Sequence, residues 1–413
     1  MMITRRTFAL GASTAAALAA PAVRRARADN APIRIGVINS MSGGYAAYAQ
    51  EGHPAFKYII DKINAEGGVK SMGGAKIELV LADDTSQGAR CATEARRLLT
   101  EEKVDLLTGT MLSPQMLAVS PVLDELQAPC LSVWAGGSRS PWLYSLGYDY
   151  DRGYAKTMAD FAIWLRDKKG FALKTWMPCY SNYEAGQQVN THLLKRMGDA
   201  GFQPVGEAAL DTKAQDQTAA MIRIRAAKPD IALGLVTPRD GLLLHQARYN
   251  LNYHGSIFAG GTGGYSDLSL WRDLSPDIAK AVLTRNLFAM TGFSPAANVP
   301  SMQKIIAEFR DVAKLKLIGQ SAMQSAQAAR VIQRALEIAG TRDKKAVKEA
   351  FAKVEIKFGD ADLYVAKPTG IKFADDRLLT DGSAFFVQWM EDKSQQVLYP
   401  EQFANAQPRP RSS

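Results

Sequence analysis

The sequence predicts an α/β fold in two lobes, and three observations carry that reading. Short apolar runs alternate with longer segments of helical period along nearly the whole chain, the pattern of parallel sheets covered on both faces by helices. At 413 residues the chain exceeds one ordinary domain. The apolar rhythm also breaks twice, at Tyr148-Asp149-Tyr150 within a group of tyrosines at 144, 148, 150 and 154, and after the run Gly260-Gly261-Thr262-Gly263-Gly264. Each break is a place for the chain to cross between lobes.

Residues 1–28 precede the pattern and read as an export signal. Arg5-Arg6 stands before a mildly apolar, alanine-rich stretch over 8–23, and Ala26-Arg27-Ala28 is a small-x-small cleavage site. The twin arginine and the weak hydrophobicity suit the route that exports folded proteins, so the mature chain is expected to begin at Asp29 in the periplasm. The first strand-like run, 33–38, leads to a helix on which Ala55, Phe56, Ile59, Ile60 and Ile63 share one face. Runs at 77–82, 104–108 and 129–133 follow. Past the first break Tyr154, Met158, Phe161 and Leu165 line a helix, and Ile222, Ile224 and Ala226 mark a less regular one among strands at 173–177, 231–236 and 256–258. Residues 282–290 are read as carrying the chain back, 301–352 as almost wholly helical, and 384–390 as a late strand with a turn at Asp392-Lys393. The expected division is an N-terminal lobe of 29–148 plus 287–362, a C-terminal lobe of 149–286 plus 363–400, and a flexible tail over 401–413.

Composition narrows the function. The formal net charge of +9 falls to +4 once the five arginines of residues 1–28 are removed, which undercuts a nucleic-acid partner. No apolar run approaches the ~20 residues that span a bilayer, so no direct membrane insertion of the mature chain is expected. Cys91, Cys130 and Cys179 are too few for a disulfide framework and read as core filler. His53, His192, His245 and His254 are scattered without metal-ligand spacing, so no metal is implied. Gly261-Thr262-Gly263-Gly264-Tyr265-Ser266 has serine where a dinucleotide fingerprint needs its third glycine, and Gly136-Gly137-Ser138-Arg139-Ser140 fails the nucleophile-elbow spacing in the same way. No cofactor and no catalysis are announced.

What stands out is a set of loops between a strand's carboxyl end and the next helix, where α/β sheets place their ligands. Ser40-Met41-Ser42-Gly43-Gly44 follows the first strand. Gly109 to Pro114 ends in a helix start, with Ser113 as N-cap and Pro114 as first helical residue, and offers the N–H groups of Gln115 and Met116 to a carboxylate. Trp134-Ala135-Gly136-Gly137-Ser138 pairs an aromatic wall with exposed amides. Ser113 taken alone is a cap, Trp134 packs under a loop as readily as it lines a cleft, and Tyr48 and Tyr183 default to packing.

The order of these features resembles a family. Ile33-Arg34-Ile35-Gly36-Val37, Met41-Ser42-Gly43, Tyr48, Ile63-Asn64-Ala65-Glu66-Gly67-Gly68, Asp83-Asp84, Pro229-Asp230, Gln246-Ala247-Arg248 and the glycine loop at 260–264 together are similar to the periplasmic leucine/isoleucine/valine-binding proteins, receptors of branched-chain-type ABC importers. The resemblance covers nearly all of the mature chain. It implies the type I periplasmic-binding fold: two Rossmann-like lobes with parallel sheets, joined by a three-crossing hinge around a cleft that closes on ligand. It also implies ligand contacts at Ser42, Tyr48, Ser113-Pro114, Ala135, Gly136, Gly137, Tyr183, Thr237 and Thr262, to which the loop pattern itself adds Trp134. The chain departs from the amino-acid-binding pattern. Pro114 beside Ser113 stands at the carboxylate-holding serine, Gly137 at a threonine, and Thr262 at the acid that holds an α-ammonium group; the first-lobe cysteine bridge is missing.

The expected function is therefore capture of a small carboxylate-bearing solute, an amino acid or an aromatic acid, for delivery to a membrane permease. The neutral Thr262 favours a carboxylate without an α-amino group, with Glu184 and Asp267 as the acids able to restore one. A sensory ligand-binding subunit of the same fold and an exported α/β enzyme remain as alternatives.

Overall fold

The computed structural model describes residues 31–409 apart from positions 135, 138, 298, 366, 368 and 381–383. The expected export segment and Ala135 lie outside the described residues. The first lobe is built on β1 (Ile33–Asn39), α1 (Ala46–Ala65), β2 (Ile77–Asp83), α2 (Gly88–Thr100), β3 (Leu106–Gly109), α3 (Ser113–Leu126), β4 (Cys130–Ser132) and β5 (Leu143–Ser145). Its strands pair in parallel in the order β2-β1-β3-β4-β5, and each of the first three crossovers is a helix, because parallel neighbours cannot be joined by a tight turn. Helix α1 buries Tyr48, Ala55, Phe56, Ile59, Ile60 and Ile63 along one stripe.

The chain then leaves this sheet where the tyrosines gather. Tyr150–Ala155 forms a π-helical turn that runs into α4 (Lys156–Asp167). The second lobe continues through β6 (Thr175–Ser181), α5 (Glu184–Asp199), β7 (Gln203–Pro204), β8 (Ala208–Leu210), α6 (Thr218–Ala227), β9 (Ile231–Leu235), α7 (Pro238–Asn250), β10 (Ile257–Gly261), the short helices α8 (Gly263–Ser266) and α9 (Ser269–Asp273), α10 (Pro276–Leu283) and β11 (Leu287–Thr291). A return to the first lobe supplies α11 (Pro300–Asp311), α12 (Gln320–Ala339), α13 (Lys344–Phe351) and a two-stranded ribbon of β12 (Glu355–Ile356) and β13 (Ile371–Lys372). The last strands, β14 (Phe385–Trp389) and β15 (Gln395–Tyr399), are antiparallel additions to the second sheet, whose order is β15-β14-β11-β10-β9-β6-β7 with β8 also beside β6. Phe161 of α4 stacks on Phe386 of β14 at 3.8 Å, so the late strand is bound into the second core.

Three boundaries differ from the expected division. Residues 287–291 belong to the second sheet, because β11 pairs with both β10 and β14; the crossing follows Gly292, and the glycine run at 260–264 is the junction of β10 and α8 within the second lobe. The described residues of 363–380 pack on the first lobe: Tyr364 N–H donates to Gln327 at 2.7 Å, Phe373 meets Tyr144 edge-on at 5.2 Å, and Ser145 N–H donates to the Arg377 carbonyl. The expected flexible tail is docked through residue 409. Glu401 accepts from Trp164 Nε1 at 2.9 Å, Phe403 meets Phe385, and Arg409 N–H donates to Gln388. Among the described residues no helix is long and apolar enough to cross a membrane.

Candidate functional site

The loops at the carboxyl ends of the two sheets face each other, and their side chains differ in what they do. Ser42 is exposed and donates to Asp83 at 2.9 Å, locking its loop to the end of β2. Thr237 caps α7, donating to Asp240 at 2.9 Å, and is fully engaged in that local network. Thr262 holds φ +63°, rare for a side chain with a branched Cβ, and its hydroxyl donates to the Val236 carbonyl. Neither threonine presents a free hydroxyl to the cleft.

Helix α3 begins one residue earlier than expected. Leu112 is the flanking residue and makes no side-chain cap, while Ser113 opens the helix. The Ser113 hydroxyl is free of capping work and meets the Tyr150 hydroxyl at 2.9 Å. Tyr150 in turn donates to Glu184 at 2.8 Å, and Arg139 approaches the same carboxylate at 3.4 Å. This chain of bonds runs from the first lobe to the second. The Tyr150 ring also packs on Gly136, where an added Cβ would stand 2.3 Å from it, and a Cβ on Gly137 would stand 3.4 Å away. Tyr150 thus fills the space between Ser113 and Gly136 that the sequence reading assigned to a carboxylate.

Aromatic rings line the rest of the cleft. Tyr48 and Trp134 of the first lobe lie 5.3 Å apart at a 54° tilt, and Tyr148 meets Tyr154 edge-on at 5.1 Å. Tyr183, 9% exposed, opens α5. Burial pushes the Tyr48, Tyr150, Tyr154 and Tyr183 phenols well above their ordinary pKa, so all four are neutral.

Beside this wall is a cavity of about 10 Å³ lined by Tyr48, Glu51 and Trp134 from the first lobe and Gly263, Ser266 and Asp267 from the second. Glu51 is 2% exposed and accepts from the Ala322 N–H at 3.0 Å, fixing α1 to the start of α12. Its pKa is pushed up to about 8, chiefly by desolvation and then by the charge of Asp267. Burial likewise raises Asp267. A wider cavity of about 660 Å³, lined by Gln50, Glu51, Arg272, Lys314 and Lys316 among others, shares Glu51. The structure therefore brings Tyr48, Trp134 and the neighbourhood of Thr262 together, and leaves Ser42 and Thr237 to local roles. Sequence reasoning missed Glu51 and Tyr150. Glu51 carries a signal in hindsight, since it falls three residues after Tyr48 on the apolar stripe of α1.

A family model described as periplasmic binding protein matches residues 32–394. The chain belongs to the periplasmic binding protein family. It is 26% identical over 422 residues to Leu/Ile/Val-binding protein homolog 7 of Brucella suis, covering 96% of this chain and 97% of that one. Homolog 8 of the same organism is 23% identical, with 97% and 98% covered. Among solved structures, the branched-chain amino acid transporter substrate-binding protein LivJ of Streptococcus pneumoniae, in complex with isoleucine, superposes with a TM-score of 0.73 at 18% identity over 89% of this chain and all of that one. A Rhodopseudomonas palustris solute-binding protein in complex with 4-hydroxybenzoate also gives 0.73, at 22% identity over 89% and 95%. The two sheets and three crossings are thus the type I periplasmic-binding fold, and this family consists of solute-binding proteins rather than enzymes.

Proposed function

We propose that this periplasmic binding protein captures a small carboxylate-bearing solute, an amino acid or an aromatic acid, by closing its lobes over it, and delivers it to the membrane permease of an ABC importer in the periplasm. The observation that carries the reading is the meeting of side chains from both lobes, with Ser113 of α3 bonded to Tyr150 at 2.9 Å and Tyr150 to Glu184 of α5 at 2.8 Å. The Ser113–Tyr150 bond exists only when the lobes are together, so a solute with greater affinity for that state shifts the hinge toward it. Tyr48, Trp134 and Tyr183 supply flat walls suited to an aliphatic or aromatic body. Relatives of the same fold bound to isoleucine and to 4-hydroxybenzoate support both solute classes.

The test is a thermal-shift screen of amino acids and benzoates on purified, ligand-stripped protein. Calorimetry and solute uptake in a deletion strain complete it. Binding without turnover, with uptake lost on deletion, is the expected result. Turnover of the bound solute would favour an enzyme, and binding with undiminished uptake a sensory subunit.

A further inference from the structure

A cavity of about 470 Å³ opens on the first lobe where α1, α11 and α12 meet, and none of the residues assigned to the solute lines it. Its charges are not balanced bond for bond. Every acid in the lining is held: Lys62 donates to Glu308, Glu337 accepts the Lys70 and Ser71 backbone N–H groups at 2.7 and 2.8 Å, Arg334 donates to Asp362 at 2.7 Å, and Glu66 lies 3.4 Å from Arg330. The cations are in surplus. The ammonium groups of Lys70, in the turn after α1, and of Lys304, on α11, make no hydrogen bond or ion pair among the described residues. Arg330 of α12 is a second, independent observation. Its side chain is 6% exposed, with Nε 3.0 Å from the Tyr364 hydroxyl and 3.1 Å from Asp362, and Nη1 2.8 Å from Gln333. Its Nη2 makes no hydrogen bond among the described residues, yet it is not sealed from solvent, so it faces the cavity that Arg330 lines. A guanidinium edge held rigid by its other nitrogens is pre-organised for an oxyanion.

We propose that this cavity is a second binding site, separate from the interlobe cleft, for a compact multivalent oxyanion, a phosphate or a polycarboxylate. Arg330 Nη2 donates to one of its oxygens, and Lys70 and Lys304 neutralise the others. The volume of about 470 Å³ is that of a small-molecule site and holds far more than one water-sized ion. The acids around it are already occupied by partners, so they set the rim of the site without cancelling its unpaired cations. All of these residues belong to the first lobe, so the site is complete whether the cleft is open or closed. Binding there neither competes with the solute nor requires closure. An anion in this position joins α11 to α12 and to the turn after α1, and it stabilises the folded lobe by mass action.

The test is calorimetry and thermal melting of the purified, solute-stripped protein with sodium citrate or sodium phosphate against sodium chloride at equal ionic strength. The variants are Lys304→Ala, Lys70→Ala and Arg330→Lys, with Lys345→Ala of α13, exposed and outside the cavity, as the control for lost charge. Citrate or phosphate is expected to bind and to raise Tm where chloride does not. Its Kd is expected to weaken about threefold in each lysine variant and about tenfold in Arg330→Lys, and to stay unchanged in Lys345→Ala. Lys70 and Lys304 are exposed, so their variants decide the question independently of any loosening of Asp362 and Tyr364 in Arg330→Lys. A response to phosphate alone assigns the site to phosphate groups, and one to citrate alone to polycarboxylates. Small-angle scattering should give the same radius of gyration with and without the anion. Equal effects of the three salts, or a loss of affinity that Lys345→Ala shares, would overturn the site. Binding that shrinks the radius and survives in all the variants would put the anion in the cleft and overturn it as well.

Discussion

A glutamate held out of water keeps its proton far beyond the usual range, and Glu51 carries a measurable consequence. Its pKa of about 8 lies above the ordinary value of 4.5, first because burial disfavours the charge and then because Asp267 faces it. Between those values the folded chain holds a proton that the unfolded chain has released, so this group's contribution to stability falls as pH rises through that window. The Tm of the wild type is expected to drop by several degrees more than that of Glu51→Gln between about pH 5 and about pH 9. The amide keeps an oxygen for the Ala322 N–H, so circular-dichroism melts of the two isolate the titration. Parallel curves would assign the pH dependence elsewhere. The same residue shows why part of the site was illegible. Its burial comes from α12, whose Ala322 lies far along the chain, and no local pattern announces that partner. Tyr150 was visible only as one tyrosine of a cluster, because its bond to Ser113 exists only once the lobes meet and its bond to Glu184 joins residues far apart in sequence.

The elements themselves were more legible, because a strand buried on both faces must be a continuous apolar run and a covering helix must carry a stripe. Runs such as 33–38 and 231–236 correspond closely to β1 and β9, and the stripe from Ala55 to Ile63 to α1. Lobe membership failed where the same apolar signal serves either sheet: β11 reads like any buried strand, and only its pairing with β10 and β14 decides its lobe. One glycine at a strand end illustrates how tightly these elements fit. Gly109 ends β3 at φ +150°, and a Cβ there would lie 1.8 Å from the Ile38 carbonyl oxygen. Gly340, which ends α12 at φ +60°, has nothing within 4 Å of such a Cβ. Gly340→Ala is expected to cost about 1 kcal/mol, the left-handed backbone alone. Gly109→Ala is expected to cost more than about 3 kcal/mol, because β1 and β3 must part to admit the methyl. Urea unfolding compares them, and similar midpoints would contradict the close approach.

At the scale of the molecule, two sheets joined by three crossings leave the relative position of the lobes to a small number of contacts across the cleft. Tyr150 provides one of them, its hydroxyl lying 2.9 Å from Ser113, while Glu184 of its own lobe holds the same hydroxyl at 2.8 Å. Its ring packs on Gly136, so Tyr150→Phe removes the bonds and keeps the filling. The Tyr150–Glu184 bond lies within the second lobe and persists in the open state, where water satisfies Ser113; in the closed state of the variant the serine loses its partner inside a dry cleft. A hydrogen bond between neutral groups contributes roughly 0.5–1.5 kcal/mol. The closed state of the variant is therefore disfavoured by roughly two- to tenfold relative to the open one. Because solute binding draws on that equilibrium, its Kd is expected to rise by about the same factor. The global Tm of the solute-free variant should change little, since neither lobe's core is touched. Small-angle scattering gives the direct view. Saturated wild type should show a smaller radius of gyration than the solute-free protein, and the variant should need more solute to reach it. Equal affinity in the two proteins, with identical radii at every concentration, would mean that Tyr150 links the lobes without helping to hold them shut.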